Sequence, residues 1–183
     1  MFIFVTGVAG SGKSTLGRHL AARGIDARDA DEGISRHVRV SDGAEVETPP
    51  PVLQEPEWVA RHEFRFDLAR VRELRAGATA GAPVVLLGAA YGDDEVIALA
   101  DRSRYLDVDR DELRRRLAGR PADGYGQRAH ELEAILAWHA AAAERYEGLG
   151  ARRLDAARPV EEIADELLAG LAAPEFQESQ RLP

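Results

Sequence analysis

The segment "FIFVTGVAGSGKST", residues 2–15, restricts the architecture more than any other part of this 183-residue chain. Phe2-Ile3-Phe4-Val5 is a continuous apolar run with β-branched and aromatic side chains, the pattern of a strand buried on both faces of a parallel sheet. Gly7-Val8-Ala9-Gly10-Ser11-Gly12-Lys13-Ser14 follows directly, and Leu16, Leu20 and Ala21 then recur on one side of a helix that Gly24 can stop. Strand, glycine-rich turn and helix in this order predict an α/β chain built on a parallel sheet.

The turn satisfies G-x-x-x-x-G-K-[ST] in full, in the strand-to-helix context of a phosphate-binding P-loop. Glycines let backbone N–H groups wrap phosphate oxygens, and the helix N-terminus adds partial positive charge. Lys13 is the only lysine in a chain that otherwise writes arginine. A compact ammonium fits this nest and a planar guanidinium does not. Gly7, Val8, Ala9, Gly10, Ser11, Gly12, Lys13, Ser14 and Thr15 are therefore the expected ATP-phosphate cradle, with the Ser14 hydroxyl offered to Mg²⁺.

Several kinds of P-loop protein are excluded. With Lys13 the sole lysine, the N-K-x-D guanine-reading motif of Ras-type GTPases is impossible. AAA-type motors are larger and carry acidic residues at the end of the Walker B strand. Here the next strongly apolar strand, Pro83-Val84-Val85-Leu86-Leu87, runs into Gly88-Ala89-Ala90 without a carboxylate.

The carboxylates stand elsewhere. "IDARDADEG", 25–33, reads as a short strand ending in Asp29-Ala30-Asp31, and alternation puts both acids on one side. Asp29 can serve Mg²⁺, and Asp31 can accept a proton from a substrate hydroxyl and orient it toward the γ-phosphate. In these features the chain resembles the small P-loop kinases: shikimate kinase, gluconate kinase and, more distantly, adenylate kinase. In the first two, a D-x-D after the second strand serves metal and acceptor, a pattern that Asp29 and Asp31 match. The acid-free strand ending at Gly88 is also like shikimate kinase, which implies an acceptor-side position for Gly88.

"RRRLAGRP", 114–121, resembles the R-x-x-G-R that opens the lid of adenylate kinases. The resemblance implies that Arg116 stacks on adenine and that Arg120 reaches the phosphates, roles that a guanidinium can fill. Residues 117–128 would form a short lid made mobile by Gly124 and Gly126, with Arg128 adding a contact on closure. By the same resemblance the loop 156–159 lies against adenine, which places Arg158 among the nucleotide-binding residues.

The remaining elements alternate. Strands are expected at 2–6, 26–30, 83–88, 104–108 and 152–155, and helices at 93–101, 111–117, 131–147 and from Pro159 onward. His139 reads as a hydrogen-bonded core histidine. The expected fold is a P-loop three-layer α/β sandwich, a five-stranded parallel sheet with helices on both faces. One domain spans 1–173, with a substrate lobe at 32–80, and a frayed tail follows at 174–183. Within the lobe, 36–47 alternates around Asp42-Gly43 and predicts a hairpin, 48–56 is a Pro-rich connector, and 57–77 predicts one helix closed by Gly77. Arg36 and Arg65 are the candidate acceptor contacts, together with Asp31 and Gly88.

Composition agrees. A net charge of −8 argues against broad binding to nucleic acid, and the absence of cysteine excludes disulfides and thiolate chemistry. No apolar run reaches the roughly 18–20 residues of a membrane span, and the first residues lack the features of a signal peptide. The expectation is a cytoplasmic Mg-ATP-dependent kinase, monomer or homodimer, acting on a hydroxyl of a small metabolite through Lys13, Asp31 and Arg120. A nucleoside or nucleotide acceptor, or a regulatory ATPase working through a protein partner, are the rival readings.

Overall fold

A computed structural model describes residues 1–50, 55–122 and 124–170. The pattern read from the first strand is what the structure builds around. Strand β1 (Phe2–Thr6) is buried along its whole length. Phe2 pairs with Val84 and Phe4 with Leu86 of β5 (Val84–Leu87), and Thr6 pairs with Tyr105 of β6 (Arg102–Asp107). With β2 (Asp26–Asp29) and β7 (Arg152–Asp155) these strands make one parallel sheet in the order β2-β5-β1-β6-β7. Two strands, β3 (Ser35–Arg39) and β4 (His62–Phe66), form a separate antiparallel ribbon.

Alternation along β1 and β5 divides the core. Phe2, Phe4, Val84 and Leu86 pack with Val71 of α3 (Leu68–Gly77) and Val96 of α4 (Asp93–Leu99). Ile3, Val5, Val85 and Leu87 pack with Leu16 and Leu20 of α1 (Lys13–Ala22) and with Ile163 and Leu167 of α7 (Val160–Leu168). Each such fully buried side chain contributes about 1.5–3 kcal/mol. Helix α5 (Arg110–Ala118) is capped by Asp109, whose carboxylate accepts from the Asp111 and Glu112 amides. The long α6 (Ala129–Gly148) is pinned near its end by Asp93, which is 4 % exposed. That carboxylate receives both Nη groups of Arg145, at 3.0 and 2.7 Å, and the Tyr146 hydroxyl.

The helix expected over 57–77 is replaced by three elements. A single turn α2 (Pro56–Val59) is followed by β4, and only from Leu68 does a helix run to Gly77. The break has a local trace: His62, Phe64 and Phe66 alternate, and Asp67 is an N-cap whose carboxylate accepts from the Ala69 and Arg70 amides. Tertiary contacts decide it, because Phe66 is buried edge-on against Phe4 at 5.6 Å and the strand pairs with β3. The predicted hairpin is correspondingly reduced. Its turn closes through Gly43 N donating to Arg39 O, but only an isolated bridge, Val38 to Glu45, extends it, and the main partner of β3 is β4. The tail 174–183 and part of the Pro-rich connector, 51–54, lie outside the described residues.

Gly88 marks where the sheet, the ribbon and the end of β2 meet. A Cβ there would stand 2.3 Å from the Ala30 Cβ and 3.3 Å from the Phe66 ring. Gly88→Ala should therefore cost about 1–3 kcal/mol of stability by overpacking, measured by urea denaturation. Gly77→Ala, with no heavy atom within 4 Å of the new Cβ, should stay within about 0.5 kcal/mol of the parent.

Candidate active site

The parallel sheet places the ends of β1, β2 and β5 side by side, with Asp29 in register with Leu87. The loop 7–12 leaves β1 and delivers the chain to the N-terminus of α1. Gly12 is the hinge between them, at φ +107°, where a side chain would be strained. Helix geometry leaves the first amides of α1 without intrahelical acceptors, so they are available to an anion.

Lys13 folds back over this loop. Its Nζ donates to Gly7 O at 2.6 Å and to Val8 O at 3.2 Å. Desolvation within the loop lowers its pKa to about 8, against the opposing charges of Asp31 and Asp29, and Arg120 adds to the lowering. Such an ammonium gains from any further negative charge brought to the loop. Asp29 and Ser14 meet across the gap between β2 and α1: Ser14 Oγ donates to Asp29 Oδ2 at 3.3 Å. The other carboxylate oxygen of Asp29 accepts the Asp31 amide at 3.1 Å, which fixes the turn carrying Asp31. Asp31 is solvent-exposed in the turn after β2 and does not line the cavity that opens above the loop. Desolvation and then the Asp29 charge raise its pKa, and Lys13 opposes them.

A cavity of about 450 Å³ opens above the loop, lined by residues 10–16 and by Arg116, Arg120, Ala156 and Arg158. Leu106, Val160 and Ile163 supply an apolar wall. That wall was not among the expected site residues, although Val160 and Ile163 stand three apart at the start of α7. Arg116 spans the cavity: Nη1 donates to Ser11 O at 3.2 Å and Nη2 to Ala156 O at 2.7 Å. Arg120 donates to Tyr125 O at 2.9 Å within the segment between α5 and α6. Arg158 is engaged by Glu162 and Glu166. These pairs are solvent-exposed and weak, so they do not lock the guanidinium away from the cavity.

The ribbon residues lie apart. Arg36 and Arg65 line a second cavity of about 250 Å³ with Arg39, which shares no lining residue with the first. Arg36 is paired with Asp67 and Glu45, and Arg65 with Glu63, its guanidinium also lying 5.9 Å from the Tyr91 ring centroid. The sequence separation of Arg36 from Asp31 did not reveal Asp67 as its partner, because Asp67 arrives through the pairing of β3 with β4. Gly88 donates its amide to Val5 O at 3.0 Å and packs on Ala30, next to Asp31 in the chain. Arg128 reaches Glu131 and Glu55, each at 3.5 Å. His139 is half-buried rather than part of the core, and it donates to Val108 O at 2.7 Å.

The donor set suits a nucleotide with Mg²⁺. A hydroxyl and a carboxylate within hydrogen-bond distance are hard oxygen ligands, and Mg²⁺ is commonly held by one or two carboxylates with substrate phosphates rather than by a protein cage. Among the described residues no group of three or more His, Cys, Asp or Glu could hold a metal ion. No helix among them is long and apolar enough to cross a membrane.

Loop, sheet order and cavity together define a P-loop nucleotide-binding protein. A family model described as AAA domain matches residues 3–137, and the chain belongs to that family. Three solved structures show the same fold. Shikimate kinase from Acinetobacter baumannii, in complex with shikimate, is similar at TM-score 0.61 and 20% identity over 91% of this chain and 90% of that one. Shikimate kinase from Bacteroides thetaiotaomicron is similar at TM-score 0.53 and 22% identity over 92% and 96%. An unliganded sugar kinase from Janibacter sp. HTCC2649 is similar at TM-score 0.52 and 20% identity over 91% of each chain. No curated protein matches in sequence. The fold is that of the small P-loop kinases, and β5 ends at Leu87 and runs into Gly88 without the carboxylate of an AAA-type motor.

Two substitutions separate phosphate from metal binding. Lys13→Ala should weaken Mg-ATP binding by about tenfold or more, since it removes a charge-assisted contact. Asp29→Asn should weaken ATP binding in the presence of Mg²⁺ and leave Mg-free binding nearly unchanged. Titration calorimetry with and without Mg²⁺ measures both.

Proposed function

We propose that this protein is an Mg-ATP-dependent kinase that phosphorylates a hydroxyl group of a small metabolite. The observation that carries the reading is the meeting of Lys13, Ser14, Asp29 and Asp31 at the mouth of the phosphate loop. A loop built only to hold a nucleotide needs the first two. The second carboxylate, raised in pKa and set beside the lysine, is a group suited to receive a proton.

In this reading the loop amides and Lys13 bind the triphosphate, and Arg120 neutralises charge on the transferred group. Ser14 and Asp29 hold Mg²⁺, which supplies charge neutralisation on the phosphates. Arg116, with Arg158 at the rim, borders the base. Asp31 orients the acceptor hydroxyl and takes its proton as the oxygen bonds to the γ-phosphorus and ADP leaves. The work is positioning and electrostatics. On the acceptor side, Gly88 and the ribbon residues Arg36 and Arg65 are the proposed contacts. Sugar kinase and shikimate kinase structures of like fold support a hydroxylated metabolite as acceptor.

The test is ADP release from Mg-ATP with a panel of acceptors: sugar acids, shikimate-like polyols, sugars, amino-alcohols, nucleosides and nucleotides. One acceptor class should stimulate release, and Lys13→Ala should abolish the stimulation. Asp31→Asn should lower the stimulated rate by about a hundredfold or more while ATP still binds. Stimulation by nucleosides or nucleotides alone would redirect the reading to a nucleotide kinase. Slow release that no acceptor changes would favour a regulatory ATPase.

A further inference from the structure

Arg116 occupies an unusual position for a residue at the edge of a ligand cavity, because all three of its guanidinium nitrogens are already tied to protein. Nη1 and Nη2 donate to the carbonyls of Ser11 and Ala156. The remaining nitrogen, Nε, donates to Glu112 Oε1 at 2.7 Å. Three contacts on three nitrogens define a plane. They spread over three segments: the phosphate loop, the loop after β7, and one turn back along α5.

Of the three acceptors, two are main-chain carbonyls at fixed positions in the fold. Glu112 is the only side chain, so it is where the plane is set by residue choice. Its own position is determined: the Glu112 amide is capped by Asp109 at the start of α5, and four residues of helix bring its carboxylate beneath Arg116. Its side chain is 24 % exposed and that of Arg116 27 %, so the pair is shielded more than an ordinary surface ion pair. The same carboxylate also receives the fork of Arg115, whose side chain is 74 % exposed and points to solvent. The adjacent arginines therefore share one acid, and only Arg116 borders the cavity.

One N–H on each nitrogen is used, which fixes the plane of the guanidinium. Nη1 and Nη2 keep one N–H each, and the fixed flat face is the part a ring can lie against. A flat cationic face stacks on a ring and contributes little to a phosphate. We infer that Glu112 is a positioning residue for nucleotide recognition: by holding Nε of Arg116 it presents that face to the base, while phosphate binding is left to the P-loop and Arg120. The inference rests on the nucleotide reading given above, but it makes a different claim, that base affinity and phosphate affinity can be separated by a residue that touches neither.

The experiment compares Kd for Mg-ATP with Kd for Mg-tripolyphosphate, which has the phosphates and no base, on the full chain by titration calorimetry. In Glu112→Ala the affinity for ATP should fall by about tenfold, the scale of a hydrogen bond to a charged group, and tripolyphosphate affinity should stay within about twofold. Glu112→Gln keeps an oxygen that can accept from Nε and should recover most of the ATP affinity. Arg115→Ala should change neither ligand. Equal loss of both ligands in Glu112→Ala would mean a damaged loop and overturn the role, as would no loss of either. A parent protein that binds tripolyphosphate as tightly as ATP would also overturn it, because no base site would then exist, while leaving the phosphate loop intact. A parent protein that binds neither ligand would remove the nucleotide reading itself and the Glu112 role with it.

Discussion

Everything at the candidate site hangs from the burial of β1. A strand whose five residues are all inaccessible to water cannot shift along its axis without exposing one core layer or the other. Its C-terminal end is therefore a fixed point, and the phosphate loop begins there. This rigidity matters because backbone amides recognise phosphate by position. They have no side-chain freedom with which to search for a ligand.

The same sheet brings acid to the loop. Pairing of β2 with β5 sets Asp29 level with Leu87, the last residue of each strand. Ser14 starts the neighbouring helix, and the two meet at 3.3 Å. In many P-loop proteins the strand beside β1 carries a carboxylate at its end. Here Gly88 directly follows that strand, and the structure gives a packing reason. Ala30 and Phe66 close over Gly88 so tightly that even a methyl group would collide. The acids stand one strand outward, Asp29 as the last residue of β2 and Asp31 in the turn that follows.

Much of this was legible locally. The loop and the five strands of the sheet are each encoded within a few consecutive residues, where spacing and side-chain type suffice. The ribbon was not. Residues 57–77 contain enough helix-favouring side chains to read as one helix, and only the burial of Phe66 on Phe4 and the pairing with β3 turn 62–66 into a strand. A helix would have carried Arg61 and Arg65 along one face. The strand instead sets Arg65 opposite Arg36 in register, with Glu63 and Asp67 as their partners.

The sequence by itself determined that the chain makes a buried strand, a phosphate loop and a helix, because these depend on backbone geometry over spans shorter than a dozen residues. It placed Asp29 and Asp31 at the end of the second strand, which stops at Asp29 and leaves Asp31 in the turn. Only the tertiary structure decided which groups those residues meet. Arg116 finds Ser11 across 105 residues and Ala156 across 40, Arg36 finds Asp67 across 31, and Asp93 finds Arg145 across 52. Contacts of that kind are set by how strands order themselves in the sheet and how the faces of separate elements close on each other, and no local pattern of residues carries that information.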